Sequence, residues 1–113
     1  MHEVGIAQSI LEIVEKEAAK NNATVVKKVK LIVGEFTGIV KEALEFALEI
    51  VKKNTIAENA EFEIEIVKLK THCKHCNREF TNNKQAGFLC PECNGILSIV
   101  AGKELNIEYI DVD

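Results

Sequence analysis

Hydrophobic and polar residues recur along the chain with two periods, and these periods predict its secondary structure. Residues 4–20 and 40–53 place apolar side chains at the three- and four-residue spacing of amphipathic helices. The segments 25–33, 61–69 and 105–109 are rich in β-branched residues or alternate at every second position, which is typical of half-buried strands. The order is therefore helix, strand, helix, strand and strand.

Each predicted element has an apolar face, and these faces predict the core. The residues expected to be buried are Ala7, Ile10, Leu11, Val14 and Ala18 in the first helix; Val29, Leu31 and Val33 in the first strand; Ala43, Leu44, Ala47 and Val51 in the second helix, with Phe46 and Ile50 widening that face; Phe62, Ile64 and Ile66 in the second strand; and Leu105, Ile107 and Tyr109 in the third. The turn 34–38 contains two glycines that can take positive φ.

Length and charge narrow the class of protein. A chain of 113 residues suits one compact domain with a small appendage. Its 18 acidic and 14 basic residues give a formal charge of -4, so no global field attracts nucleic acid. No apolar run reaches the ~20 residues that span a bilayer, and the N-terminus has no signal-peptide pattern. We therefore expect a cytoplasmic protein that binds neither membranes nor nucleic acid.

Four cysteines form the strongest chemical motif. Cys73-Lys-His-Cys76 and Cys90-Pro-Glu-Cys93 are separated by 13 residues, and two such Cys-x-x-Cys turns supply the four ligands of a closed, tetrahedral structural zinc site. Iron is the rival metal, because four thiolates serve either ion; we favour zinc. The fold class predicted is α+β, two helices packed on a three-stranded sheet, with an inserted zinc-ribbon lobe.

The position of the cysteines also predicts how the chain is divided. Residues 1–69 and 103–113 are expected to form the α+β domain, and residues 70–102 the ribbon lobe. A lobe this small cannot build a sufficient core, so metal binding should supply much of its folding free energy.

Two histidines and a basic stretch adjoin the first pair of cysteines. We interpret His72 and His75 as surface residues whose N–H groups stabilise thiolate sulfurs; the alternative makes one of them a ligand for a second metal. Residues 68–84 are locally basic, which is compatible with RNA or DNA contact, although solvated lysines around a ribbon are the more common case.

The chain opens with Met1-His2-Glu3, which offers a second metal site. A bulky residue at position two generally leaves the initiator methionine in place. The amine of Met1, the backbone nitrogen of His2 and its imidazole can then form fused chelate rings that suit Ni(II) or Cu(II). The carboxylate or backbone nitrogen of Glu3 can complete the coordination. On its own the motif is weak, because a histidine in this position is usually just an exposed side chain.

Met1-His2-Glu3, Gly34-Glu35, the two Cys-x-x-Cys pairs and the ending Gly102-Lys-Glu-Leu105 together resemble the HypA family of nickel metallochaperones over essentially the full length. The resemblance implies delivery of Ni(II) to the large subunit of [NiFe]-hydrogenase in concert with a maturation GTPase; some members also supply urease. We also consider a homodimer.

The resemblance further implies which residues bind metal. Met1, His2 and Glu3 correspond to nickel ligands, and the four cysteines, Cys73, Cys76, Cys90 and Cys93, to zinc ligands. Some members are thought to place a carboxylate near the nickel in the loop before the second helix, where this chain has Val40, with Glu42 just beyond. The last ligand is therefore left open.

The chain is expected to be a carrier and not an enzyme, because no motif resembles a nucleophile with its base, a phosphate loop or an open catalytic zinc. The competing interpretations are a zinc-ribbon nucleic-acid-binding module, which predicts salt-sensitive binding, and a structural adaptor, which predicts partner binding indifferent to His2.

Overall fold

The computed structural model describes residues 2–81 and 88–113. The chain divides into two compact units. The first comprises Met1–Ile32, Ile39–Glu65 and Asn106–Asp113, and the second comprises Val33–Gly38 and Ile66–Leu105. The domain boundaries at 69/70 and 102/103 stay a prediction about which regions fold independently.

Two helices and a three-stranded sheet form the main layer of the fold. The elements are α1 (His2–Lys20), β1 (Val26–Gly34), a 3-10 turn (Glu35–Thr37), α2 (Lys41–Val51), β2 (Glu61–Val67) and, at the end of the chain, β6 (Leu105–Val112). The strand order is β2-β1-β6, with β1 in the centre. The predicted α+β architecture is confirmed. The first helix begins two residues earlier than the apolar pattern indicates, so His2 and Glu3 lie in its first turn.

The core of the first unit lies where the pattern predicts for α1 and β1. All five predicted apolar positions of α1 are buried, and so are Val29 and Leu31 of β1; Val33, which belongs to the second unit, is buried as well. The opposite face of β1 is polar: Lys30 Nζ lies 3.2 Å from Glu65 Oε1 and 3.8 Å from Glu108 Oε1. An ionic outer face and an apolar inner face are what a sheet covered on one side requires.

The buried face of α2 is rotated from the predicted one. Leu44, Ala47 and Leu48 are buried, whereas Ala43 is exposed and Phe46 is 69% exposed. Residues 43, 46 and 50 form one apolar stripe and residues 44, 47, 48 and 51 a second, adjacent one. Both have helical spacing, so the period alone does not decide which of them packs against the rest of the unit.

The last strand also departs from prediction. Leu105 and Tyr109 are 47% and 44% exposed, and the more buried residues of β6 are Ile107, Ile110 and Val112. The step of three between 107 and 110 interrupts strict alternation. Tyr109 instead reaches Lys28, whose pKa it helps to raise after the larger effect of Glu63.

The second unit contains three short strands, β3 (Lys70–Cys73), β4 (Arg78–Thr81) and β5 (Ser98–Ala101), in the order β4-β3-β5. Strand β3 pairs antiparallel with both neighbours, and Cys73 lies opposite Arg78. An isolated antiparallel bridge joins Leu89 to Ile96. The sequence predicts a metal ribbon here without specifying these strands.

The turn 34–38 is fastened within the second unit by backbone groups. The Gly34 N–H donates to Glu104 O at 2.6 Å, and the Phe36 N–H donates to Gly102 O at 2.8 Å. Gly38 has the positive φ that the sequence predicts, but Gly34 is extended, with φ -78°. Gly34 is required for another reason, because a Cβ there would lie 2.1 Å from the Gly102 carbonyl oxygen.

Neither helix of the described residues is long and apolar enough to span a membrane.

Candidate metal centres

The four cysteines of the second unit converge on one point. Cys73 ends β3 and Cys76 lies in the turn that leads to β4, while Cys90 and Cys93 lie in the turn closed by the Leu89–Ile96 bridge. All four Sγ atoms lie within 4.8 Å of one another. Among residues 2–81 and 88–113, these four cysteines are the one cluster of three or more His, Cys, Asp or Glu side chains that could bind a single metal ion.

The separations between the sulfurs fit a tetrahedral ion. Cys73 Sγ lies 3.6 Å from Cys93 Sγ, and Cys76 Sγ lies 3.9 Å from Cys90 Sγ. Zn–S bonds of ~2.3 Å in a tetrahedron place sulfurs ~3.8 Å apart. The donor set therefore fits zinc, and four protein ligands leave no open position for a substrate.

Backbone N–H groups point at the sulfurs, as thiolates require. The amides of Cys76, Glu92 and Gly95 each donate to a cysteine Sγ at 3.4 Å. Burial opposes ionisation of Cys90, but the backbone N–H groups of Glu92 and Cys93 outweigh it and lower the pKa of this thiol to about 7. A hydrogen bond with Cys93, with burial second, raises the pKa of Cys76 to about 12.

Local conformation around the cysteines follows from the residues after each pair. Asn77 and Asn94 have φ of 54° and 62°. Asparagine tolerates this left-handed conformation better than most residues, so each turn can close directly after its cysteine pair. An ion pair between Arg78 and Glu92, which the sequence did not predict, links β4 to the second cysteine turn. Arg78 also lies over the ring of Phe80, 5.9 Å from its centroid.

Some of the histidine and basic side chains near the ribbon make local contacts. His72 Nε2 lies 3.3 Å from Asn77 Oδ1, and His75 is exposed. Lys70 pairs with Glu79 at 3.7 Å, and Arg78 pairs with Glu92. Lys84, part of the predicted basic stretch, lies outside the described residues. Pairing of two basic side chains with carboxylates reduces the charge that this stretch can offer to a phosphate backbone.

The second candidate centre lies at the start of α1. Met1, predicted to supply its amine, lies outside the described residues. His2 and Glu3 lie in the first helical turn, where backbone N–H groups have no intrahelical acceptor. The backbone nitrogens of both residues are therefore not committed to the helix ladder. The imidazole and carboxylate are adjacent, with His2 Nδ1 3.7 Å from Glu3 Oε1.

The Glu3 side chain is buried and has a partner on α2. It is 8% exposed, and its Oε2 accepts a hydrogen bond from the Val40 N–H at 3.2 Å. That bond is the main cause that lowers the pKa of the Glu3 carboxyl, and nearby His2 adds a smaller effect. Glu42, the other carboxylate considered from the sequence, is exposed in the first turn of α2. From the sequence, Val40 could be placed where some members of the family have a carboxylate, but its hydrogen bond to Glu3 could not be predicted, because residue type carries no information about a backbone amide.

The sequence matches the model of a known protein family and several members of that family. A family model described as "Hydrogenase/urease nickel incorporation, metallochaperone, hypA" matches residues 1–112. The chain is 36% identical over 115 residues to the hydrogenase maturation factor HypA of Caldanaerobacter subterraneus subsp. tengcongensis, covering 100% of both chains. It is 42% identical over 114 residues to that of Desulfatibacillum aliphaticivorans, covering 99% of this chain and 87% of the relative.

A solved structure shares the fold. The solution structure of the Ni metallochaperone HypA from Helicobacter pylori superposes with a TM-score of 0.70 at 24% identity, covering 99% of this chain and 97% of that one. The assignment to a family rests on the match to the family model over residues 1–112 and on full-length relatives above 30% identity. The resemblance inferred from the motifs is confirmed: the chain belongs to the HypA family of hydrogenase and urease nickel-incorporation metallochaperones.

Proposed function

We propose that this protein is a cytoplasmic carrier that binds Ni(II) at its N-terminus and delivers it for maturation of [NiFe]-hydrogenase. Its proposed partners are the maturation GTPase and the hydrogenase large subunit. The observation that carries the proposal is membership of the nickel-incorporation family over residues 1–112, which include Met1-His2-Glu3.

The proposed nickel ligands are the Met1 amine, the backbone nitrogen and imidazole of His2, and Glu3. Amine, amide and imidazole nitrogens in fused chelate rings favour the planar geometry of Ni(II) and Cu(II). Support comes from the first helical turn, where the amide nitrogens of His2 and Glu3 are not needed by the helix. The fourth donor is the carboxylate or the backbone nitrogen of Glu3; one oxygen of that carboxylate already accepts a hydrogen bond from the Val40 N–H.

The four cysteines are proposed to hold a structural Zn(II), which when bound joins the two turns through thiolate bonds. The three backbone N–H donors that point at the sulfurs keep the thiolates oriented. A closed site of this kind supplies no open position for chemistry, so the protein is proposed to exchange metal without catalysing a reaction.

A site at a chain terminus can release its ion by local opening, because few contacts must break. We propose that docking of the GTPase distorts the first turn of α1 and thereby increases the rate at which nickel leaves. A nickel dissociation rate that stays the same when a saturating amount of the GTPase is added would contradict this step.

The proposal is tested by isothermal titration of NiCl₂ into zinc-loaded protein with an untagged N-terminus. Two variants probe the site: His2→Ala removes the imidazole, and a two-residue N-terminal extension converts the terminal amine into an amide. We expect stoichiometric binding by the parent protein and its loss in both variants. His75→Ala is the matched control, because His75 is exposed beside the cysteines, and it should bind nickel normally. Binding that survives in both terminal variants would exclude the terminal site.

A further inference from the structure

Helix α2 carries a row of apolar side chains that faces solvent. Ala43, Phe46 and Ile50 are three and four positions apart, which places them along one side of the helix. Ala43 is exposed, Phe46 is 69% exposed and Ile50 is 50% exposed. Leu44 and Leu48, on another side, are fully buried. Single exposed apolar residues are ordinary, but a contiguous row that includes a phenylalanine is a feature of interaction sites. We call residues 43, 46 and 50 the α2 seam.

Exposed carboxylates border the α2 seam on one flank. They are Glu42, Glu45 and Glu49. With 3.6 residues per turn, Glu42 and Glu49 lie directly beside the seam, and the third carboxylate lies one step further round the helix. Apart from Lys41 at its first position, α2 contains no basic residue. Lys52, which follows the helix, contacts Glu49 at 2.8 Å and leaves 63% of that side chain exposed. The flank is therefore acidic.

The spacing of the α2 seam indicates what kind of element can cover it. Steps of three and four residues between apolar positions are those of the contact line between two helices that pack side by side. In such a pair, the residues beside the contact line meet across the interface and select the partner by charge. Glu42 and Glu49 hold these bordering positions. An amphipathic helix with apolar residues at the same spacing and Lys or Arg beside them is complementary in both respects.

A second copy of this chain does not provide that complement. Two antiparallel α2 helices related by a two-fold axis bring the same flank of each helix to the same side of the contact. The flank of Glu42 and Glu49 would then face its own counterpart, and like charges repel. A parallel two-fold pair would place these glutamates beside the opposite flank, where Ala47 offers no positive charge. Both arrangements leave the carboxylates without a cation from the other copy.

We propose that the α2 seam is a docking site for a basic amphipathic helix of a partner protein. Phe46 is its central anchor, because buried aromatic side chains contribute much of the binding energy of an interface. Glu42 and Glu49 receive lysine or arginine side chains at its border. This site goes beyond the proposed function and does not depend on nickel binding, since none of the proposed nickel ligands lies in α2.

The test uses two designed helical peptides with the same length and the same leucine positions, spaced as in the α2 seam. The basic peptide has lysine beside the leucines, and the acidic peptide has glutamate in place of every lysine. Fluorescence anisotropy measures the binding of each peptide to the full-length protein at low and high salt. We expect the acidic peptide to bind at least about tenfold more weakly than the basic one, and the difference to shrink at high salt because charges are screened.

Four variants locate the site on the protein. Phe46→Ala removes the anchor and should weaken binding of the basic peptide at least about tenfold. Glu42→Lys reverses a bordering charge, so it should weaken binding of the basic peptide and strengthen binding of the acidic one. The matched controls are Ile13→Ala, at an apolar residue of α1 that is 50% exposed, and Glu12→Lys, which changes the net charge by the same amount at an exposed position of α1. Both should bind the basic peptide nearly as the parent protein does.

The amide resonances of residues 42–50 should shift when the basic peptide binds, and thermal unfolding verifies that each variant is folded. Absence of binding by the basic peptide, or equal weakening in Phe46→Ala and Ile13→Ala, would overturn the proposal. Sedimentation equilibrium that shows a dimer of the parent protein and a monomer of Phe46→Ala would assign the seam to a second copy and would also overturn it. A parent protein that bound the basic peptide but no nickel would contradict the proposed function alone.

Discussion

Glu63 shows at the scale of one residue how the outer face of the sheet is stabilised. Its carboxylate lies 3.0 Å from Lys28 Nζ and 3.5 Å from Lys30 Nζ. A hydrogen bond from Lys28, then the charges of both lysines, lower the pKa of Glu63. A carboxyl with a lower pKa in the folded state stabilises the fold at pH values above its unfolded pKa, and this contribution disappears as the pH falls through the folded pKa.

We therefore predict that Glu63→Gln lowers the free energy of unfolding at pH 7 and that the difference from the parent protein shrinks as the pH falls below the unfolded pKa of about 4.3 and through the lower pKa of the folded state. Urea unfolding at several pH values between 7 and 3 measures both. Glu61→Gln is the control, because Glu61 is exposed on the same strand and has no ion pair within the described residues. A Glu63→Gln effect that stays constant with pH would show that packing, and not charge, is responsible.

Also at the scale of single residues, substitution by alanine should change the free energy of unfolding in opposite directions at two glycines, Gly34 and Gly5. A Cβ at Gly34 would lie 2.1 Å from the Gly102 carbonyl oxygen, whereas a Cβ at Gly5 in α1 has no atom within 4 Å. Gly34→Ala should destabilise the protein by about 1–3 kcal/mol or more, because backbone must move. Gly5→Ala should stabilise it by about 0.5–1 kcal/mol, since alanine favours a helix interior. Urea unfolding of the two variants checks both signs, and a stabilising Gly34→Ala would refute the close approach.

At the scale of elements, α2 provides a matched pair of apolar residues two positions apart. Leu48 is fully buried, and Phe46 is 69% exposed. We predict that Leu48→Ala costs about 2–5 kcal/mol of unfolding free energy. Phe46→Ala should cost about 0.5 kcal/mol or less, although phenylalanine is the larger side chain. Chemical unfolding of both variants measures this; a larger cost for Phe46→Ala would mean that the sequence-based assignment of the α2 core was the better one.

How far the elements could be predicted depends on how distinctive each period is. In α1 one apolar stripe runs the length of the helix, whereas Val4 and Ile13 lie outside it and are exposed, so Ala7 and Val14 could be assigned to the core from sequence. In α2 two adjacent stripes are apolar, and only the packed structure selects Leu48 over Ala43. In β6 the period shifts after Ile107, and no residue type announces such a shift.

The two candidate metal centres differed in predictability for a related reason. Cysteine is chemically specific and its spacing encodes the turn, so the four ligands of the ribbon could be chosen from sequence alone. His2 and Glu3 form only a weak metal-binding motif by themselves, and their assignment as nickel ligands depended on the family resemblance. The Glu3–Val40 contact joins a side chain to a backbone amide 37 positions away, and a local pattern contains no information about it.

For the whole molecule, the composition of the two units predicts how the protein responds to loss of metal. The buried residues of the second unit's cluster are Cys73, Cys90 and Leu97, with Cys76 and Phe80 packed against them, so much of that core is metal ligands. The first unit has a core of aliphatic side chains from α1, β1 and α2, without cysteine. Structural zinc in small cysteine sites contributes on the order of 10–16 kcal/mol of folding free energy in peptides.

We predict that chelation of the metal at pH 7 unfolds the ribbon strands and leaves the helices folded. Hydrogen exchange should show loss of amide protection at Thr71 and Leu97 and retention at Leu31 and Leu48, while helical circular dichroism changes little. Cys90→Ser should reproduce the chelated state, and added Zn(II) should restore the parent protein but not this variant. Cooperative loss of protection at all four amides would contradict this prediction, since it would mean that the first unit depends on the metal for its own folding.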